Sequence, residues 1–65
     1  MSLTLVAWRR ARKISQQAMA DKLHIHVNTY FNWEARPENI SIKNAKLISQ
    51  ILDVPLEDIE FKAEG

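Results

Sequence analysis

The chain has no cysteine, a single glycine and only two prolines in 65 residues. Without cysteine, neither a disulfide framework nor a cysteine zinc site can staple the fold. A domain this short buries only ~60% of the surface its unfolded chain exposes, so a compact core must hold it. The absence of cysteine also fits a reducing, cytoplasmic setting. No apolar run approaches the ~20 residues needed to cross a bilayer. Residues 1–7 lack the positive start and long apolar stretch of a secretory signal. No membrane role is expected, and no function is expected of the first two or three residues or of Glu64 and Gly65.

Catalytic and metal signatures are missing too. No Ser–His–Asp set, no paired acids and no glycine-rich phosphate loop occurs, and so short a chain scarcely encloses a pocket. His24 and His26 invite a metal reading, but zinc takes four ligands and only carboxylates could complete the set. The better reading is polar turn chemistry, with His26 as the N-cap of a helix. We expect no enzyme, no metal, no cofactor and no small-molecule ligand.

What is present is helical spacing of apolar residues nearly throughout. Few glycines and prolines mean few breaks. The pattern predicts an all-α bundle of five short helices in one domain, residues 1–65. The helices fall at about 4–13, 16–23, 27–35, 41–52 and 56–61. Thr4, Ser15 and Ser41 are N-cap residues by type and place. The first helix would bury Leu5, Trp8 and either Ala11 or the stem of Arg12. The fourth would bury Ile42, Ala45, Ile48, Ile51 and Leu52, and Leu56 and Ile59 would close the core. Residues 36–40 read as a loop, because Pro37 disfavours helical geometry in the residue before it.

Charge is unevenly placed. Residues 1–33 carry five cations against one acid, whereas residues 34–65 carry four against seven, around a net charge of +1. A basic front and acidic tail would suit docking of one face on a polyanion. Chance asymmetry of a solvated surface fits as well.

Residues 16–35 carry the decisive pattern. Two short helices joined by a tight turn form a helix-turn-helix, which needs a small residue where they cross. Counting from Gln16, that fifth position is Ala20. The positions that must be apolar to pin the pair onto the rest are Met19, Leu23, Ile25, Tyr30 and Trp33. Each constraint is met.

The run Ser15-Gln16-Gln17-Ala18-Met19-Ala20-Asp21-Lys22-Leu23, then Asn32-Trp33-Glu34, then Leu52-Asp53-Val54-Pro55-Leu56-Glu57-Asp58-Ile59, resembles the phage repressor and Cro family of helix-turn-helix domains. The likeness extends from about Leu5 to Phe61. Three positions depart from it: Lys13, His24 and Asp53 stand where the family has glycine. Glycine suits a backbone that tends toward positive φ, at a cost of about 1 kcal/mol to a residue with Cβ. Pro55, where the family often has a Ser or Thr cap, departs mildly.

The resemblance implies a third helix lying in the major groove of double-stranded DNA. The base-reading set would be Val27, Asn28, Thr29, Phe31 and Asn32. Asn matches the N6 and N7 of adenine, while Val, Thr and Phe can touch a thymine methyl, so an A·T-rich half-site is expected. Asn28 as a local cap and Phe31 as a spare core residue are the structural alternatives. The resemblance also implies a phosphate contact at Gln16, with Gln17, Arg36, Lys43 and Asn44 as further contacts. It implies that Arg9 pairs with Glu34, tying the first helix to the third. Arg10, Arg12 and Lys13 would favour their helix end through the dipole or face phosphate weakly. Lys22, Lys46 and Lys62 read as solvated surface.

The implied function is a sequence-specific transcriptional regulator, Cro-like or repressor-like, from a phage or prophage. It would act on a palindromic operator as a homodimer, with residues 54–61 as a contact between copies. The rival reading is a helix-turn-helix used as a protein-interaction module, such as an antitoxin or adaptor. The chain's end shortly after Phe61 is compatible with a complete Cro-like protein and with one domain of a longer regulator.

Overall fold

Side-chain caps set where the helices begin. In a computed structural model that describes residues 1–64, the hydroxyls of Thr4, Ser15 and Ser41 accept from the backbone N–H groups of Ala7, Ala18 and Asn44, at 3.1, 3.0 and 3.2 Å. These open α1 (Leu5–Ala11), α2 (Gln16–Leu23) and α4 (Ile42–Leu52). His26 opens α3 (Val27–Ala35), its Nδ1 accepting from the N–H of Asn28 at 3.1 Å. Each such cap contributes about 1 kcal/mol.

The helix ends are equally regular. Lys13, His24 and Asp53 have φ of 58, 58 and 56°. At each, two hydrogen bonds close the last turn. Ile14, Ile25 and Val54 donate back to Arg9, Ala20 and Ser49, while Lys13, His24 and Asp53 donate to Arg10, Asp21 and Gln50. This is the Schellman arrangement, which joins a left-handed residue to an apolar one that packs back on the helix. Ile14, Ile25 and Val54 all belong to, or pack against, the core.

That core is Leu5, Met19, Ala20, Tyr30, Ile48, Leu52, Val54 and Ile59. Ala20, fully buried, stands on the α2 side of the α2–α3 pair. Trp8, Leu23, Ile25 and Trp33 pack half-buried around this centre. Trp8 donates its indole N–H to the Asp58 carbonyl at 2.8 Å.

Four expectations need correction. There are four α-helices among the described residues, not five: residues 56–61 form a 3-10 turn, Leu56–Asp58, followed by a strand. That strand, β2 (Ile59–Glu60), pairs in parallel with β1 (Leu3–Thr4), matching Leu3 to Ile59 and Thr4 to Glu60. Leu3 is therefore structural, and so is Glu64, whose carboxylate accepts from the Thr4 hydroxyl at 2.8 Å. Second, α1 stops at Ala11 because Lys13 turns left-handed, and Ala11 is exposed. Third, Ile42 is 68% exposed. It is the first residue of α4, where the buried stripe of Ala45, Ile48 and Leu52 has not yet begun. Fourth, the loop after α3 contains a 3-10 turn, Pro37–Asn39, with Pro37 buried. Gly65 lies outside the described residues.

Candidate nucleic-acid interface

α2 and α3 are held as a rigid pair by a buried polar cluster. The Glu34 carboxylate accepts from Arg9 Nε at 2.6 Å, Arg9 Nη2 at 3.3 Å, Gln16 Nε2 at 2.9 Å and the Tyr30 hydroxyl at 2.5 Å. Those four donors fill the acceptor capacity of a carboxylate. Arg9 spends a further N–H on the Ile14 carbonyl at 2.9 Å, which links the end of α1 to the cluster. Both charged partners are buried, and among the described residues no buried side-chain polar atom lacks a partner. The expected Arg9–Glu34 pair is therefore present.

Burial works against the Arg9 charge, yet the hydrogen bond and attraction of Glu34 hold its pKa above the ordinary value. The Tyr30 phenol is also raised, first by burial and then by its hydrogen bond to Glu34 and the charge of that carboxylate. Tyr30 was expected only as an apolar anchor. Its hydroxyl is a functional group the sequence reading missed; Tyr four residues before Glu on a helix was the available signal.

With Tyr30 and Glu34 buried, the opposite flank of α3 faces outward. Asn28, Thr29, Phe31 and Asn32 are exposed, and Val27 is half-buried. Neither Asn side chain hydrogen-bonds to another described residue. Asn28 is not the cap, because His26 fills that role. Phe31 is 43% exposed, so it is no spare core residue.

The expected phosphate contacts are placed as follows. Gln16 is half-buried, with one amide N–H given to Glu34 and the other unassigned. Gln17 is exposed and donates to Asp21 Oδ1 at 2.9 Å. Arg36 caps the C-terminal end of α3 and lines an open depression of about 410 Å³ with Asn32, Ala35 and Asn39. Lys43 is exposed and Asn44 half-buried in the first turn of α4, where the backbone N–H of Asn44 already donates to the Ser41 hydroxyl. Asn39 was not anticipated. It lies in the turn after Pro37, where no periodicity marks it.

Residues 5–59 match a family model described as Helix-turn-helix. The chain belongs to the repressor and Cro type of helix-turn-helix family. Neither the curated proteins nor the solved structures yield a match. The family is one of DNA-binding regulators, and the turn at His24 is the bend between the two helices of its motif. In this helix-turn-helix domain, however, three arginines of the basic front have partners within the chain. Arg9 is paired with Glu34, and Arg10 lies 3.5 Å from Glu64. Arg12 donates to the Leu52 and Asp53 carbonyls at 2.7 and 3.3 Å while stacking 5.5 Å over Trp8. It caps the end of α4. Among the described residues, no group of three or more His or carboxylate side chains is placed to hold a metal ion. None of the described helices is long and apolar enough to cross a membrane.

Proposed function

We propose that this domain is a sequence-specific transcriptional regulator of Cro or repressor type, from a phage or prophage and working in the bacterial cytoplasm. α3 enters the major groove and reads base edges with Val27, Asn28, Thr29, Phe31 and Asn32. The observation that carries this reading is the division of α3 into two faces. One is locked inward through Tyr30 and Glu34; the other presents two unpartnered amides and an aromatic ring.

Gln16, Gln17, Arg36, Lys43 and Asn44 hold the backbone on either side. The depression between Arg36 and Asn39 adds a place for a phosphate at the trailing end of α3. Gln16 carries a second task, since its bond to Glu34 fixes one end of the phosphate contact to the reading helix. Two copies occupy a palindromic operator, with half-sites about one helical turn, ~34–36 Å, apart. Occupancy of an overlapping promoter excludes polymerase.

Enrichment of random duplexes by the purified chain, read at two salt concentrations, tests this. The expected product is a palindromic, A·T-biased site whose affinity falls with salt. Asn28→Ala and Asn32→Ala each relax one position of that site, with a loss of about 1–3 kcal/mol of discrimination. Absence of any enriched duplex, together with tight binding to a protein, would favour the interaction-module reading that the acidic tail keeps open.

A further inference from the structure

The α3 side chains that the fold leaves exposed and without a partner include two primary amides and an aromatic ring. Phe31 and Asn32 lie three and four residues after Asn28, so each is one turn from it and all three exposed side chains fall on one flank of the helix. At 43% exposure it stands in water among polar neighbours, in a domain whose other phenylalanine, Phe61, packs against the core. Within α3 itself no Lys or Arg shares that flank. The nearest cation along the chain is Arg36, one turn after Asn32 and lining the same depression, where it is proposed above to hold phosphate. The side chains that best read guanine O6 and N7 are therefore absent from the α3 residues proposed to face the bases.

Only one apolar group projects from base edges into the major groove, the C5-methyl of a pyrimidine. Thymine has it and cytosine lacks it, while adenine beside it offers the N7 acceptor and N6 donor that an amide matches with two bonds. A ring flanked by amides is the protein complement of that set. Resting on the DNA-reading function above, we propose that Phe31 seats a pyrimidine C5-methyl group, so that the domain distinguishes 5-methylpyrimidines from unmethylated cytosine. The methyl is recognised as such. In unmodified DNA it belongs to thymine; in methylated DNA a 5-methylcytosine supplies the same group, so cytosine methylation at that position raises affinity.

The test starts from the duplex that the native chain enriches. Each thymine is replaced singly by deoxyuridine, which removes the methyl and leaves every hydrogen-bonding group. One thymine per half-site is expected to lose about fourfold in affinity on replacement, the effect of one buried methyl-sized group. The same replacement leaves the affinity of Phe31→Ala unchanged, while Phe31→Leu shows a smaller loss. With cytosine and then 5-methylcytosine at that position, the native chain favours the methylated duplex by about the same factor, and Phe31→Ala treats the two alike. Thermal melts of both variants confirm that the exposed site has been altered without unfolding the domain. Indifference to every deoxyuridine, an enriched site without thymine, or an equal loss in native and Phe31→Ala protein overturns the proposal while leaving DNA binding in place. Failure to enrich any duplex overturns the DNA-reading function, and the methyl assignment with it.

Discussion

Lys13, His24 and Asp53 each hold a left-handed backbone at the end of a helix, and each is followed by an apolar residue that packs back. The energetic compromise is clearest at Lys13, whose long side chain offers no local hydrogen bond to offset the conformation. His and Asp tolerate positive φ better than most residues with a Cβ. Lys13→Gly is therefore expected to stabilise the domain by about 1 kcal/mol, less the added freedom of glycine in the unfolded chain. In a domain this small that is a rise of roughly 4–8 °C in Tm at most, measurable by thermal melting. Asp53→Gly should give less. These positions were legible in the sequence only through the family resemblance, which places glycine at all three. The exposure of Ile42 was not legible, since periodicity assigns a helix face and says nothing about where along that face the neighbours stop.

At the scale of elements, the Glu34 cluster joins α1, α2 and α3 through one carboxylate. Removing Arg9 would strand a buried negative charge, so Arg9→Ala should cost about 3–5 kcal/mol in a urea melt. Tyr30→Phe is gentler, since Glu34 keeps three of its donors; about 1 kcal/mol is expected. It also isolates a pH effect. The folded state holds the phenolic proton more tightly than the unfolded chain, because the Tyr30 pKa is raised. The resulting stability is complete below about pH 10, the value of a free phenol, and is lost as the pH climbs past it. Urea midpoints of the native chain should thus fall more steeply between pH 9 and 11 than those of Tyr30→Phe, which has no phenolic proton to lose. An equal decline in both would mean the phenol titrates freely. Element boundaries from residue 16 to residue 52 follow from caps and apolar spacing that the sequence displays openly. The β1–β2 pair does not, because two-residue strands are too short to alternate and their pairing joins opposite ends of the chain. Leu56 and Ile59 are three apart, which fits a helix; Pro55 and the core position of Ile59 instead allow one 3-10 turn before the chain extends.

Across the whole molecule, charge counted along the sequence overstates what is available to DNA. Arg9, Arg10 and Arg12 are engaged within the fold, leaving Arg36 and Lys43 as the cations of the proposed phosphate set. Each neutralised phosphate contributes about −0.9 to the slope of log K against log salt, so roughly −2 is expected per copy and −4 for a pair. Titrations from low to physiological salt measure this, and a slope near −7 for a pair would mean that two further cations per copy reach the DNA backbone. Size constrains the pair further. The domain extends 29 × 23 × 20 Å, whereas half-sites on one face of the duplex repeat every ~34–36 Å. Copies so placed can meet only by a narrow margin. In residues 54–61, Val54 and Ile59 are already buried, which leaves Pro55, Leu56, Glu57, Asp58, Glu60 and Phe61 as the side chains that could touch. A contact that small is well below the ~1,200 Å² of a stable interface, so in the proposed pair the DNA would have to bring the copies together. Sedimentation at micromolar concentration should then show a monomer without DNA and two copies on the operator. Inserting about 5 bp between half-sites turns the second by half a helical turn to the opposite face. Affinity for the pair should fall to that of two independent half-sites, and undiminished cooperativity would show that the copies do not touch through this margin.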